Sequence, residues 1–133
     1  RHCENAGKVV NFLAADRRVS FVNYPGLPEN SGHELSLKYL PGGAGSVFSF
    51  GVEGGYAAAV KFIEGLEIHS HLANVGDAKS LIIHPASTTH AQLTESDMKA
   101  GHITSDMIRI SVGIEDIDDI LWDLDRGLEA ASR

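Results

Sequence analysis

A single cysteine, Cys3, is the entire thiol content of the chain, so no intrachain disulfide can staple it, and a reducing cytoplasm suits it. Cations are scarce as well. Eleven Lys and Arg stand against 18 Asp and Glu, and the net charge of −7 speaks against nucleic acid, because phosphate binding needs clustered basic residues. No apolar run approaches the roughly 18 residues that a membrane span requires, and no signal-peptide pattern opens the chain. Neither His-Glu-x-x-His nor Cys-x-x-Cys occurs, which leaves zinc without a recognisable ligand set. The first helical pattern starts at Arg1 with no capping residue before it, so the chain is expected to be cut from something longer.

What remains is an ordinary globular composition, 43% hydrophobic and 22% charged over 133 residues, enough for one domain with a core of its own. Apolar residues at Ala6, Val9, Val10 and Leu13 recur at helical spacing and predict a helix from His2 to Ala15. Val19 to Tyr24 reads as a strand ended by Pro25-Gly26, and His33 to Leu40 as a short helix with Leu37 and Leu40 on one side. Ser46 to Glu53 alternates, with Val47, Ser49 and Gly51 on one face and Phe48, Phe50 and Val52 on the other. Tyr56 to Gly65 follows as an Ala-rich helix, with Val60 and Ile63 expected to face inward.

Leu66 to Leu72 and Lys79 to His84 are predicted strands, the second ended by Pro85. Thr94 is placed to cap a short helix reaching Ala100, Met107 to Ser111 is a further strand, and Asp116 caps the last helix. That helix carries one apolar stripe: Ile117, Ile120, Leu121, Leu124 and Leu128. Strands and helices in mixed order, with short returns, predict an α+β fold: a mainly antiparallel sheet with helices packed on one face. The acidic excess at Glu115, Asp116, Asp118, Asp119, Asp123 and Asp125 is expected to be a solvated helix start.

Few residues offer chemistry. Pro41-Gly42-Gly43-Ala44-Gly45-Ser46 has the glycines of a phosphate loop but precedes a strand and lacks the Lys, so it reads as a turn. His69 and His71 would share one strand face, without a third ligand at any recognisable spacing. Ser87 or Cys3 with His90 lacks both the Gly-x-Ser-x-Gly elbow and a triad partner. Arg109 is different, because it stands inside the apolar run Met107-Ile108-Arg109-Ile110-Ser111-Val112. A guanidinium stays charged in proteins, so one placed there either pairs with an acidic neighbour, faces water at a strand edge, or clamps a carboxylate through its planar fork.

Several motifs in one order run nearly end to end: Arg1-His2-Cys3-Glu4-Asn5-Ala6, Val22-Asn23-Tyr24-Pro25-Gly26-Leu27, His33-Glu34-Leu35, and Phe48 to Gly55. Ser70-His71-Leu72-Ala73-Asn74-Val75-Gly76-Asp77-Ala78-Lys79-Ser80-Leu81 and Ile83-His84-Pro85-Ala86-Ser87-Thr88-Thr89-His90 continue the series. Together they resemble the Cys/Met-metabolism family of pyridoxal-phosphate (PLP) enzymes, and Asn74, where the lyase branch usually has serine, points to the sulfhydrylase branch. The resemblance implies that residues 1–133 form the C-terminal, small domain of a fold-type I PLP enzyme. Residues 1–15 would then end a helix that continues from an N-terminal cofactor domain.

The resemblance also implies that Arg109 binds the α-carboxylate of the amino-acid substrate, that Asn74 assists from a turn, and that Thr89 lines the same pocket. The implied reaction is γ-replacement on O-acetylhomoserine with sulfide or methanethiol, in a cytoplasmic homo-oligomer. A γ-lyase or γ-synthase branch, or a free-standing non-catalytic binding module, would use the same fold. The lysines Lys8, Lys38, Lys61, Lys79 and Lys99 all lack the Ser-x-x-Lys context of the family, so no catalytic residue, covalent PLP or metal is expected on this chain. A domain separated from a partner should expose apolar surface, and Val9, Val10, Leu13 and the His84-to-His90 run are the places where that is expected.

Overall fold

The computed structural model describes residues 1–133. Five strands, β1 (Val19–Asn23), β2 (Val47–Val52), β3 (Ser70–His71), β4 (Leu81–Ile83) and β5 (Met107–Ser111), form one sheet in the order β1-β2-β5-β4-β3. Pairs β1/β2, β2/β5 and β4/β5 are antiparallel, and the edge pair β3/β4 is parallel. Around them lie α1 (His2–Ala14), α2 (His33–Tyr39), α3 (Gly55–Glu64), α4 (Glu95–Ala100), a 3-10 turn (Pro85–Ser87) and α5 (Ile117–Ala131). The α+β fold, with a mainly antiparallel sheet, is the one that the hydrophobic pattern predicts. No helix is long and apolar enough to cross a membrane.

The core occupies one face of the sheet. Phe48, Phe50 and Val52 of β2, with Ile108 and Ile110 of β5, meet Val9 and Leu13 of α1, Phe62 of α3, and Ile120, Leu124 and Leu128 of α5. Phe50 stacks edge-on against Phe62 with centroids 5.6 Å apart, which ties β2 to α3. On α3 the buried set is Ala58, Ala59 and Phe62, while Val60 and Ile63, expected inward, lie at its margin. The reason is the neighbouring helix: a Cβ built on Gly127 of α5 would lie 2.9 Å from both Phe62 and Leu66. The helices therefore touch along their small residues, and the ring of Phe62 fills the seam.

Two expectations of exposed surface are corrected. Val9, Val10 and Leu13 are buried, because α1 packs against β1 and α5 within this same chain. His84, Pro85 and Ala86 are buried too, and only the second half of that run approaches solvent. A run of exposed apolar side chains sits instead on α2 and its exit, at Leu35, Leu37, Tyr39 and Leu40, where Ser36 alone is buried, and Leu72, Val75 and Leu93 are exposed elsewhere.

Two strands are shorter than predicted, and carboxylates explain both. The backbone N–H groups of Glu67, Ile68 and His69 donate to Asp123 rather than to a neighbouring strand, so β3 begins only at Ser70. Likewise the N–H of Ser80 donates to Glu115 Oε1, and β4 starts at Leu81. The acidic run is thus only partly solvated, and Asp123 is fully buried. The caps are as predicted: Thr94 accepts from the N–H of Asp97 and Asp116 from that of Asp118.

Candidate functional site

Ile108 and Ile110 are fully buried on the helix-covered face, so the two-residue period of a strand turns Arg109 to the opposite, uncovered face. There it lies across from Ser49 of β2 and Ile83 of β4. A cleft of about 370 Å³ opens beside it, walled by Val47, Ser49, Ile83, Pro85 and Met107, with Asn23 and His90 among its polar groups.

Arg109 is half-buried and has no acidic partner. Its one hydrogen bond to protein is donated from Nη2 to the backbone carbonyl of Asn74, at 3.2 Å. A guanidinium offers five N–H donors, so most of this fork is uncommitted and faces the cleft, which is the requirement for gripping a carboxylate at two points. The structural alternative of an internal ion pair does not apply.

The structure brings Asn74 to Arg109, but through its main chain. Its side-chain Oδ1 accepts from the N–H of Val75, and its carbonyl oxygen meets the guanidinium. Thr89 is exposed, with Oγ1 2.8 Å from Nδ1 of His90, and it is the His90 ring that borders the cleft. Ser49, Asn23 and His90 are cleft residues that sequence reasoning did not select. Ser49 was legible in part, since the alternation of β2 put it on the face opposite Phe48 and Phe50, but only strand pairing sets it opposite Arg109.

Other candidates disperse. His69 points into the core against Asp123 while His71 is exposed, and no group of three His, Cys, Asp or Glu side chains is arranged to hold a metal. Ser87 bonds to Nδ1 of His84 rather than meeting His90, and Nε2 of His84 donates to the Ser105 carbonyl, which makes a turn lock without an acid. A larger cleft of about 760 Å³ lies between α4 and Tyr56, but the charged groups on its rim, Glu95 and Lys99, are exposed. All five lysines are exposed and none borders the Arg109 cleft.

Asp123 is the strongest electrostatic feature. Burial raises the pKa of its carboxyl, but the hydrogen bond from His69 and the three backbone N–H donors lower it more, to about 2 from an ordinary 3.8. Because the folded value is the lower one, ionised Asp123 contributes stability that is present above about pH 4 and lost as pH falls toward 2. Urea unfolding is expected to show a loss of roughly 2 kcal/mol over that window, less in Asp123→Asn. Asp16 and Asp106 are lowered as well, so the variant should flatten the slope without abolishing it.

A family model described as Cys/Met metabolism PLP-dependent enzyme matches residues 1–129. An O-acetyl-L-homoserine sulfhydrylase from Leptospira meyeri is 48% identical over 130 residues, which are 97% of this chain and 29% of that protein. Among solved structures, one described as an O-acetylhomoserine (thiol)-lyase from Campylobacter jejuni, which carries N'-pyridoxyl-lysine-5'-monophosphate, superimposes with a TM-score of 0.90. It is 42% identical, covering 96% of this chain and 30% of its own. A cystathionine gamma synthase from Xanthomonas oryzae pv. oryzae, in complex with aminoacrylate and cysteine, gives 0.89 at 38% identity, covering 98% and 34%. The chain therefore spans about 30% of the length of the sulfhydrylases that it matches.

Proposed function

The chain belongs to the Cys/Met-metabolism family of PLP-dependent enzymes, and from that premise we propose that it is the C-terminal domain of an O-acetylhomoserine sulfhydrylase. Residues 1–15 end a helix continued from the cofactor domain, and the Arg109 cleft receives the α-carboxylate of the amino-acid substrate. The observation that supports this reading is a half-buried guanidinium with no acidic partner, held at the mouth of a cleft by a single backbone carbonyl. Arg109 takes the carboxylate, the Asn74 carbonyl steadies the guanidinium, and Thr89 acts on the pocket through its contact with His90.

The reaction is γ-replacement: acetate leaves O-acetylhomoserine and sulfide or methanethiol takes its place, giving homocysteine or methionine. PLP supplies the electron sink for such chemistry when bound. None of it is routed through this chain, whose lysines are all exposed and outside the cleft. The lone exposed cysteine agrees with a reducing cytoplasm. Assembly as a homo-oligomer rests on the family resemblance alone.

One experiment has two arms. The 133-residue chain mixed with PLP should yield no borohydride-stable adduct on any single lysine. The intact enzyme that contains it should form homocysteine from O-acetylhomoserine and sulfide, faster than it forms cystathionine when cysteine replaces sulfide. A discrete lysine adduct on the isolated chain would contradict the division of labour, and preference for cysteine would move the enzyme to the cystathionine-synthase branch.

A further inference from the structure

The segment that reaches Arg109 has no apolar anchor of its own. Residues 71–76 are all exposed, Leu72 and Val75 among them at 47% and 60% of their surface. Yet this stretch must place the Asn74 carbonyl within hydrogen-bond reach of the guanidinium. Because β3 and β4 are parallel, the chain between them has to run back along the strands, and it does so over the uncovered face. Nη2 of Arg109 donates to Asn74 there, and the N–H of Gly76 donates to Oγ of Ser111.

What holds such a segment is polar. At its near end, buried Asp123 accepts from the N–H groups of Glu67, Ile68 and His69 at 2.7, 3.0 and 2.9 Å, and lies 2.7 Å from Nδ1 of His69. A carboxylate can only accept, so Nδ1 is the ring nitrogen that donates. Nε2 of His69 is buried with no partner, so the ring serves this one bond and no second protein group. At the far end the N–H of Ile114 donates to the Ala78 carbonyl, and Glu115 accepts from the N–H and Oγ of Ser80. A Cβ on Gly113 would lie 2.4 Å from that same Ala78 oxygen, so the far end is also fixed by backbone contact.

We infer that the Asp123–His69 pair is a positioning device for the substrate site: through residues 70–76 it sets where the Asn74 carbonyl holds Arg109. Four hydrogen bonds converge on one buried carboxylate at the near end, and beyond it the exposed segment meets the sheet through the short β3 pairing, the Asn74–Arg109 contact and the bond from Gly76 to Ser111. This rests on the proposed role of Arg109 in binding a carboxylate.

The test uses the isotopically labelled 133-residue chain with Asp123→Asn, His69→Asn and His69→Leu. Two quantities are followed by NMR: amide exchange at Ser70, Leu72 and Gly76 relative to the core amides of β2 and β5, and the shift of the Arg109 side-chain nitrogens on titration with acetate. Asp123→Asn puts an amide donor against backbone donors, so the three segment amides should exchange about tenfold or more faster relative to the core. The acetate affinity of Arg109 should fall several-fold with them. The amide nitrogen of asparagine sits where Nδ1 of histidine does, so His69→Asn should retain both properties, and His69→Leu should lose them.

A uniform rise in exchange across segment and core would make the pair merely structural and overturn the inference, as would an acetate response unchanged in Asp123→Asn. If Arg109 of the unsubstituted chain ignores acetate altogether, the carboxylate role is what fails. The exchange data still decide whether Asp123 orders the segment.

Discussion

Replacing Arg109 by alanine in the intact enzyme should lower kcat/KM for O-acetylhomoserine by roughly 10- to 150-fold, since hydrogen bonds to a charged partner contribute about 1.5–3 kcal/mol. The loss should be larger if the substrate carboxylate remains in the cleft without a partner. Arg109→Lys keeps the charge but removes the planar fork, and the three diverging donors of an ammonium cannot give a carboxylate two parallel bonds while one reaches the Asn74 carbonyl, so activity should return only in part. The defect should be the same for every α-amino-acid substrate whatever its leaving group, because the carboxylate is what they share. Steady-state kinetics with two substrates that differ at the γ-position will show this. Unchanged specificity in Arg109→Ala would reduce the residue to a strand component, and a loss confined to one leaving group would place it elsewhere in the pocket.

Phe50→Ala should destabilise the chain by about 3–5 kcal/mol, the usual cost of truncating a fully buried aromatic. Phe50 belongs to β2 and packs edge-on against Phe62 of α3, with Phe48 6.5 Å away on the same face. Its loss leaves a void between the sheet and α3, beside a Phe62 ring already pressed against Gly127 and so limited in how far it can move to fill the space. Ser49, the preceding residue, points the other way and borders the Arg109 cleft, so the register of β2 against β5 is also at stake. Denaturant unfolding followed by tryptophan fluorescence of Trp122 measures the change. A loss below about 1 kcal/mol would mean that the core repacks far more freely than close packing allows.

The two substitutions probe opposite faces of one sheet, and the chain could be read to different depths on each. Alternation along Ser46 to Glu53 put Phe48, Phe50 and Val52 on one face and the last helix put Ile120, Leu124 and Leu128 on one stripe, and these are the faces that the structure buries. The caps at Thr94 and Asp116 were equally legible, since a cap is a bond between residues two or three apart. Where prediction went astray, long-range polar bonds were responsible. Leu66 to Leu72 has the composition of a longer strand, but a carboxylate more than fifty residues away takes its first N–H groups. Asp123 itself sits in an acidic run that looks solvated, and its residue type does not distinguish it from Asp118 or Asp119. The helical stripe carries it inward beside Leu124.

The candidate site divides in the same way. An arginine inside an apolar strand announces itself in one dimension, because its charge persists and must be answered. That Arg109 has no acid to answer it, that the Asn74 main chain and not its side chain meets the guanidinium, and that Ser49 and His90 complete the cleft are facts of pairing between distant segments. Hydrophobic periodicity and caps act over a few residues, so the sequence by itself determined the elements, the core face and the residue to watch. The placement of the segment over that residue depends on which donors and acceptors meet across the sheet, and only the tertiary structure decided it.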